Sequence, residues 1–249
     1  LTGDHNLWLL RDGNLRLIRT SEAQVGDYLP VPETLLAEGS MKSLDTLEVL
    51  SDQRLFVEAR DAVLTYVNEN GSKPVTQVLD SHGLDGSAKL SALRSQRRGR
   101  GIAVGIFQDI LSTTEDLGGA WDPAAALVRG KRRRDGLPAH LPLTSELLRL
   151  FGYYIAEGNC QRTSGYFILA NRDPDVRQQV EAALNQLDVP FSIRPSSDYQ
   201  VSSTPLTTLL GNMCGVSARS KRLPAFWSQL SNPDLASLLQ AYFDGDGAV

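Results

Sequence analysis

Leu150-Phe151-Gly152-Tyr153-Tyr154-Ile155-Ala156-Glu157-Gly158 and Leu239-Gln240-Ala241-Tyr242-Phe243-Asp244-Gly245-Asp246-Gly247 share one design, and the reading of the chain turns on it. In each, two small residues stand four apart, Gly152 with Ala156 and Ala241 with Gly245. On a helix, positions four apart lie on one face. A face without bulky side chains lets two backbones approach closely, while the aromatic neighbours pack elsewhere. Each segment then ends in a carboxylate followed by glycine. A carboxylate at a helix C-terminus meets the negative end of the dipole, at a cost of roughly 0.3–1 kcal/mol. Having that arrangement twice calls for a compensating cation. If the helices pack side by side with their C-termini together, Glu157 and Asp246 converge. Hard oxygen ligands at one point suit Mg²⁺, completed by waters and substrate phosphate. Such a centre activates water and stabilises the leaving oxygen of a phosphodiester. The competing reading is two ordinary amphipathic helices with glycine caps.

Around these segments, residues 141–249 alternate between helix and strand patterns. Thr144 or Ser145 is placed to cap a helix running to Glu157. Gly165 to Leu169 reads as a strand, and Asp173-Pro174 opens a helix with an N-cap acid and a proline in the first turn. Phe191-Ser192-Ile193 and Tyr199-Gln200-Val201 alternate around a Pro-Ser-Ser-Asp turn. Thr204-Pro205 starts another helix, and Pro233-Asp234 starts the last one.

The two segments resemble the paired LAGLIDADG motifs of homing endonucleases, in which the acid before the final glycine is a metal ligand. The resemblance implies Mg²⁺ bound by Glu157 and Asp246, both catalytic, with double-stranded DNA as substrate. Asp244 stands at the sixth motif position, which is not the usual ligand position; Ile155 fills it in the first copy. Glu157 departs from the commoner Asp but still offers two oxygens, one methylene further out. The stretch Gly215 to Pro224 resembles the family's lysine block, which assigns Lys221 as a further catalytic residue. Its ammonium is suited to polarise the attacking water or offset charge on the phosphorane. The family also implies an α-β-β-α unit whose strands form a saddle over the DNA major groove. Tyr166, Arg194 and Tyr199 become candidate DNA contacts on that basis.

At the N-terminal end, residues 1–33 read as β-rich. Leu7 to Leu10 and Leu15 to Ile18 flank Arg11-Asp12-Gly13-Asn14, and Asp-Gly between two such runs signals a type I′ hairpin. Thr2-Gly3-Asp4-His5, with the later Gly26-Asp27 turn and Pro30-Val31-Pro32, resembles the intein block carrying a T-x-x-H motif. That resemblance implies a partial intein splicing (Hint) domain. Thr2 and His5 would contact the upstream splice junction, and His5 would assist the acyl shift. No splice-junction nucleophile precedes Thr2 and no terminal His-Asn follows Asp246. With no initiator Met either, the expectation is a precursor fragment, truncated at both ends, that neither cuts nor splices alone.

Between these parts, residues 34–140 read as mainly helical, with Leu44, Leu47, Val49, Leu50, Leu55 and Val57 at near-helical spacing. Asn70-Gly71 is expected to stop one such helix. Two basic clusters, Arg94 to Arg100 and Lys131-Arg132-Arg133-Arg134, are expected in exposed loops. Arg132, Arg133 and Arg134 are candidate phosphate contacts, with plain solvated connectors as the alternative. The expected fold class is α/β of the α+β type, in three parts: 1–33, 34–140 and 141–249.

Composition narrows the setting. A hydrophobic fraction of 41% and a charged fraction of 22% are those of a globular protein, and no apolar run reaches the ~18 residues of a membrane span. Cys160 and Cys214 form no metal-binding spacing, which favours a reducing, cytoplasmic setting. A net charge of −4 argues against nonspecific nucleic-acid binding by the chain as a whole, although its positive charge is clustered. Expected partners are double-stranded DNA and the host exteins of a full-length precursor. A monomer with a pseudo-two-fold endonuclease is the expected assembly. Two alternatives are a non-catalytic DNA-binding protein of the same fold, and a splicing-only intein with a decayed endonuclease.

Overall fold

In the computed structural model, residues 6–30, 39–51, 54–95, 101–130, 135–161 and 163–246 are described. They form a mixed α+β protein of helices and small antiparallel sheets. The hairpin at the start is built as its turn demands. Strands β1 (Asn6–Arg11) and β2 (Asn14–Arg19) pair in register, and Asp12 and Gly13 both take positive φ, 50° and 73°. Arg11 then fixes the following turn: its guanidinium donates twice to Asp27, at 2.6 Å each, and Leu10 bridges to Tyr28. One hairpin face carries Trp8, Leu10, Leu15 and Leu17, all exposed. The Arg11 bond holds the Asp27 carboxyl down at about 2. Its folded pKa lies below the ordinary value, so this stabilisation is complete above pH ~4 and lost as pH falls through about 2. Titrating the amide signals of Gln24 and Asp27 from pH 5 to 1.5 is expected to show the turn releasing at the bottom of that range, and in Arg11→Ala at higher pH.

The middle segment is mainly helical among the described residues, but two stretches read at helical spacing are strands. Helices are present: α1 (Thr46–Val49), α2 (Arg60–Asn70), α3 (Lys73–Ser81), α4 (Gly86–Arg94) and α5 (Val104–Thr113). Gly71 ends α2 with a φ of 85°, as its position suggested. Yet Ser43–Asp45 is strand β3, and Leu55–Val57 is strand β4, flanked in one sheet by β5 (Ile102–Ala103) and β6 (Leu127–Gly130). Strand β7 (Gly136–Pro138) extends that sheet beside β6, and β8 (His140–Pro142) pairs with β3. Strands this short show no usable alternation, and their partners lie far away in sequence. Helical spacing therefore won on the sequence and lost to tertiary pairing. After α5, the four-residue element α6 (Glu115–Gly118) is a left-handed turn, with φ of 48°, 56° and 57° at Glu115, Asp116 and Leu117. Burial of Leu117, at 1% exposure, holds it in place. Arg97, Arg98 and Arg100, like Arg132, Arg133 and Arg134, lie outside the described residues.

From residue 145 onward the order is helix, two strands, helix, two strands, helix. These are α7 (Ser145–Glu157), β9 (Gly158–Gln161), β10 (Tyr166–Leu169), α8 (Pro174–Gln186), β11 (Phe191–Ile193), β12 (Tyr199–Val201) and α9 (Thr204–Cys214). Thr144, Asp173 and Ser203 cap the three helices through side-chain oxygens. A last helix, α10 (Asn232–Asp246), follows. The four strands form one sheet in the order β11-β12-β10-β9, antiparallel throughout. Helix α9 is buried along nearly its whole length and touches β9 and β10 on one side and β6 and β7 on the other. Asn212 of α9 donates to the Val49 carbonyl at 2.8 Å. One hydrophobic core therefore runs from Leu44 to Ala241 through both sheets. No helix among the described residues is long and apolar enough to cross a membrane.

Candidate functional site

The small-residue faces of α7 and α10 meet each other, in the most extensive helix contact of the described chain. Gly152 lies against the backbone of α10: a Cβ there would collide with the Leu238 carbonyl and stand 2.8 Å from Ala241 Cβ and Tyr242 N. Gly245 answers one turn on, where a Cβ would stand 2.8 Å from Ala156 Cβ. Gly152 opposite Ala241 and Ala156 opposite Gly245 is a parallel pairing, so the two C-termini lie together. Gly158 is not a left-handed cap. Its φ and ψ of −78° and 143° are extended, and it carries α7 directly into β9. Glycine is needed there for space, because a Cβ would press on Tyr154.

Glu157 and Asp246 are therefore neighbours. Burial, and then the charge of Asp246, push the Glu157 carboxyl above its ordinary range. Two acids close together at the negative ends of two helices fit a hard divalent cation such as Mg²⁺. Among the described residues no third His, Cys, Asp or Glu joins them, so water and phosphate oxygens would complete the shell. Because the folded pKa of Glu157 is raised, its contribution is present below its unfolded pKa and is lost as pH rises through the folded one. At neutral pH, Mg²⁺ is thus expected to raise the melting temperature, and Glu157→Gln to abolish the rise. A wild-type melting curve indifferent to Mg²⁺ would sink the pairing.

Lys221 lies at the same helix end, on another side. Its ammonium donates to the Tyr154 carbonyl in the last turn of α7 and stands 3.2 Å from the centroid of the Tyr154 ring. Burial lowers it to about 8, opposed by its nearness to Cys214 and Cys160. Lys221 thus supplies part of the cation that this helix terminus calls for. No ion pair joins it to Glu157 among the described residues.

The sheet presents two distinct faces. Phe191, Val201, Phe167 and Cys160 form one cross-strand row toward the helices, and Ile193, Tyr199, Leu169 and Gly158 form the next. Facing outward are Ser192, Gln200, Ile168 and Asn159 in register, with Tyr166 opposite Gln161 beside them. Strand β9 begins at Gly158, directly after Glu157, so the sheet starts where α7 ends. Tyr166 is half-buried on that face, and Arg194 is exposed at the β11–β12 turn. Tyr199 is corrected: at 1% exposure it belongs to the core face, with its hydroxyl donating to Glu181 at 2.5 Å and accepting from Arg177 at 3.1 Å. It cannot touch a ligand on the outer face. Thr2 and His5 lie outside the described residues, as do Arg132, Arg133 and Arg134.

Sequence reasoning missed Asn159, Gln161, Ser192 and Gln200, because β9 follows α7 with no turn residue other than Gly158. The only signal was the polar-apolar-polar alternation Asn159-Cys160-Gln161. Arg177 was missed as well. With Tyr153 and Asn171 it lines a narrow cleft beside Glu157.

No protein-family model matches the chain. Over its whole length it is 25% identical to a stretch of the DNA polymerase II large subunit of Thermococcus kodakarensis, covering 13% of that protein. It is 23% identical, again over its whole length, to 28% of the uncharacterized protein MJ1054 of Methanocaldococcus jannaschii. A part amounting to 44% of the chain is 30% identical to a DNA polymerase of Thermococcus kodakarensis, covering 7% of it. The chain thus spans less than a third of the length of each of these relatives.

Proposed function

We propose that this chain is the endonuclease-bearing part of an intein, a LAGLIDADG-type homing endonuclease that hydrolyses phosphodiester bonds of double-stranded DNA with Mg²⁺. The observation that carries this reading is the close-packed α7–α10 pair, which sets Glu157 near Asp246 where α7 passes directly into the sheet. The comparisons support the intein setting in a specific way. A whole chain that corresponds to 13% of one protein and 28% of another is what a segment carried inside unrelated larger proteins would give, which supports this reading. Exteins as partners, an intracellular location and splicing roles for Thr2 and His5 follow from that setting.

In this mechanism Glu157 and Asp246 hold the cation. When bound, Mg²⁺ supplies activation of water and stabilisation of the departing oxygen. Asn159, Gln161 and Gln200 offer amide donors and acceptors of the kind that read adenine edges in the major groove, and Arg194 is placed to meet phosphate. Lys221 holds the end of α7 and so the direction of Glu157. The test uses a duplex spanning the uninterrupted insertion site in a host gene. A Mg²⁺-dependent double-strand break is expected, and a combined Asn159→Ala/Gln200→Ala variant should lose roughly 1–3 kcal/mol of sequence discrimination per contact. Tight, specific binding with no break in Mg²⁺ would assign the chain to non-catalytic DNA binding instead.

A further inference from the structure

The three helices α2, α3 and α4 form a unit that the acid pair and its sheet do not explain. Its ends are tied together, since β4 before α2 pairs with β5 after α4. Helix α3 closes with the Leu84 N–H bonded to the Leu79 carbonyl and the Gly83 N–H to that of Asp80, with Gly83 at a φ of 72°. This is a Schellman termination. Asp85 immediately caps α4 by accepting from Ala88 N at 2.8 Å, while Asp80 accepts from Gly86 N, also at 2.8 Å. The helices cross where Gly86 meets Thr76: a Cβ on Gly86 would stand 2.8 Å from the Thr76 carbonyl oxygen. Leu90 and Leu93 face inward, and Arg60 of α2 donates to the Leu93 carbonyl at 2.9 Å. Two nine-residue helices joined by a four-residue turn with a left-handed glycine, backed by a third helix, have the form of a helix-turn-helix.

We infer that α4 is a second DNA-reading element, which enters a major groove outside the sheet face. Its outer surface supports this. Ser87, Ala88, Ser91 and Arg94 are exposed together at helical spacing. Small side chains let a helix sit deep in the groove, where Ser contacts bases or phosphate, Ala meets a thymine methyl, and Arg94 meets the backbone. Charge fits the same occupant. Among the described residues from Lys73 to Ser95, Lys73, Lys89 and Arg94 stand against Asp80 and Asp85, a balance of +1 in a chain of net −4. Arg97, Arg98 and Arg100 follow in the sequence, outside the described residues, and are no part of the proposed site. The inference rests on the reading of double-stranded DNA as ligand, but not on cleavage.

The test is selection of binding duplexes from a randomised pool by the full chain, followed by affinity measurement on the selected duplex. Ser87→Glu/Ser91→Glu is expected to bind at least about tenfold more weakly and to lose sequence preference in one block of the site. Asn159→Ala/Gln200→Ala should lose it in a different block. Arg94→Ala should lower the slope of log affinity against log salt by about one. All these positions are exposed or lie on an open face, so melting curves should match the wild type. Unchanged affinity and unchanged selected sequence in the Glu variant, with an unchanged salt slope in Arg94→Ala, overturn the role of α4 and leave the endonuclease reading standing. Failure of the wild-type chain to bind any duplex overturns both.

Discussion

Asp246→Asn is expected to lower Mg²⁺-dependent DNA cleavage by at least about a hundredfold, the equivalent of roughly 3 kcal/mol in the barrier. The exchange keeps the shape of the side chain and removes one of the two charges proposed to hold the cation. Asp246 is exposed at the end of α10, so nothing in the core depends on its charge. Stability should therefore move the other way. With the opposing charge gone, the Glu157 carboxyl falls back toward its ordinary range, leaving burial as the remaining cause of its elevation. A variant that binds duplex DNA with wild-type affinity, melts no earlier and fails to cut has the signature of a lost ligand. Undiminished cutting would remove Asp246 from the centre, and equal loss of binding and cutting would assign it to DNA contact.

Gly152→Val is expected to cost stability at or above the upper end of the ~1–3 kcal/mol typical of overpacking. The obstacle is the Leu238 carbonyl and the Tyr242 amide, which belong to a helix backbone and cannot change rotamer. Separating α7 from α10 would also undo the Gly245–Ala156 contact one turn away. Against a total stability of roughly 5–15 kcal/mol, that is a large share. Urea unfolding should show an early midpoint, and Mg²⁺ should no longer raise it, because the acids part with the helices. Gly105→Ala is the control. Gly105 lies in α5 with nothing within 4 Å of its missing Cβ and no left-handed φ. That exchange is expected to stabilise by about 0.4–1 kcal/mol.

These two glycines mark how far the sequence could be read. Gly152 was legible because its spacing to Ala156 repeats in Ala241 and Gly245, and a helix has one period that turns spacing into a face. The caps at Thr144 and Asp173 and the Asp12-Gly13 turn were legible for a similar reason, as each acts within a few residues of itself. Tyr199 was misplaced by the opposite circumstance. Strand β12 has three residues, and which face each one takes depends on its pairing with Ile193 and Leu169. A shift of one residue exchanges the faces, and only the register decides it.

By itself, the sequence determined the helices, their caps and small-residue faces, and the two acids that end them. Local hydrogen bonding and helical periodicity suffice for those. Tertiary structure alone decided that β4 is a strand, that β9 follows directly on Glu157, and that Lys221 is half-buried under α7. It also decided that one core joins the middle helices to the acid-bearing pair. Each of these depends on partners tens of residues away, whose pairing is set by which buried surfaces fit together.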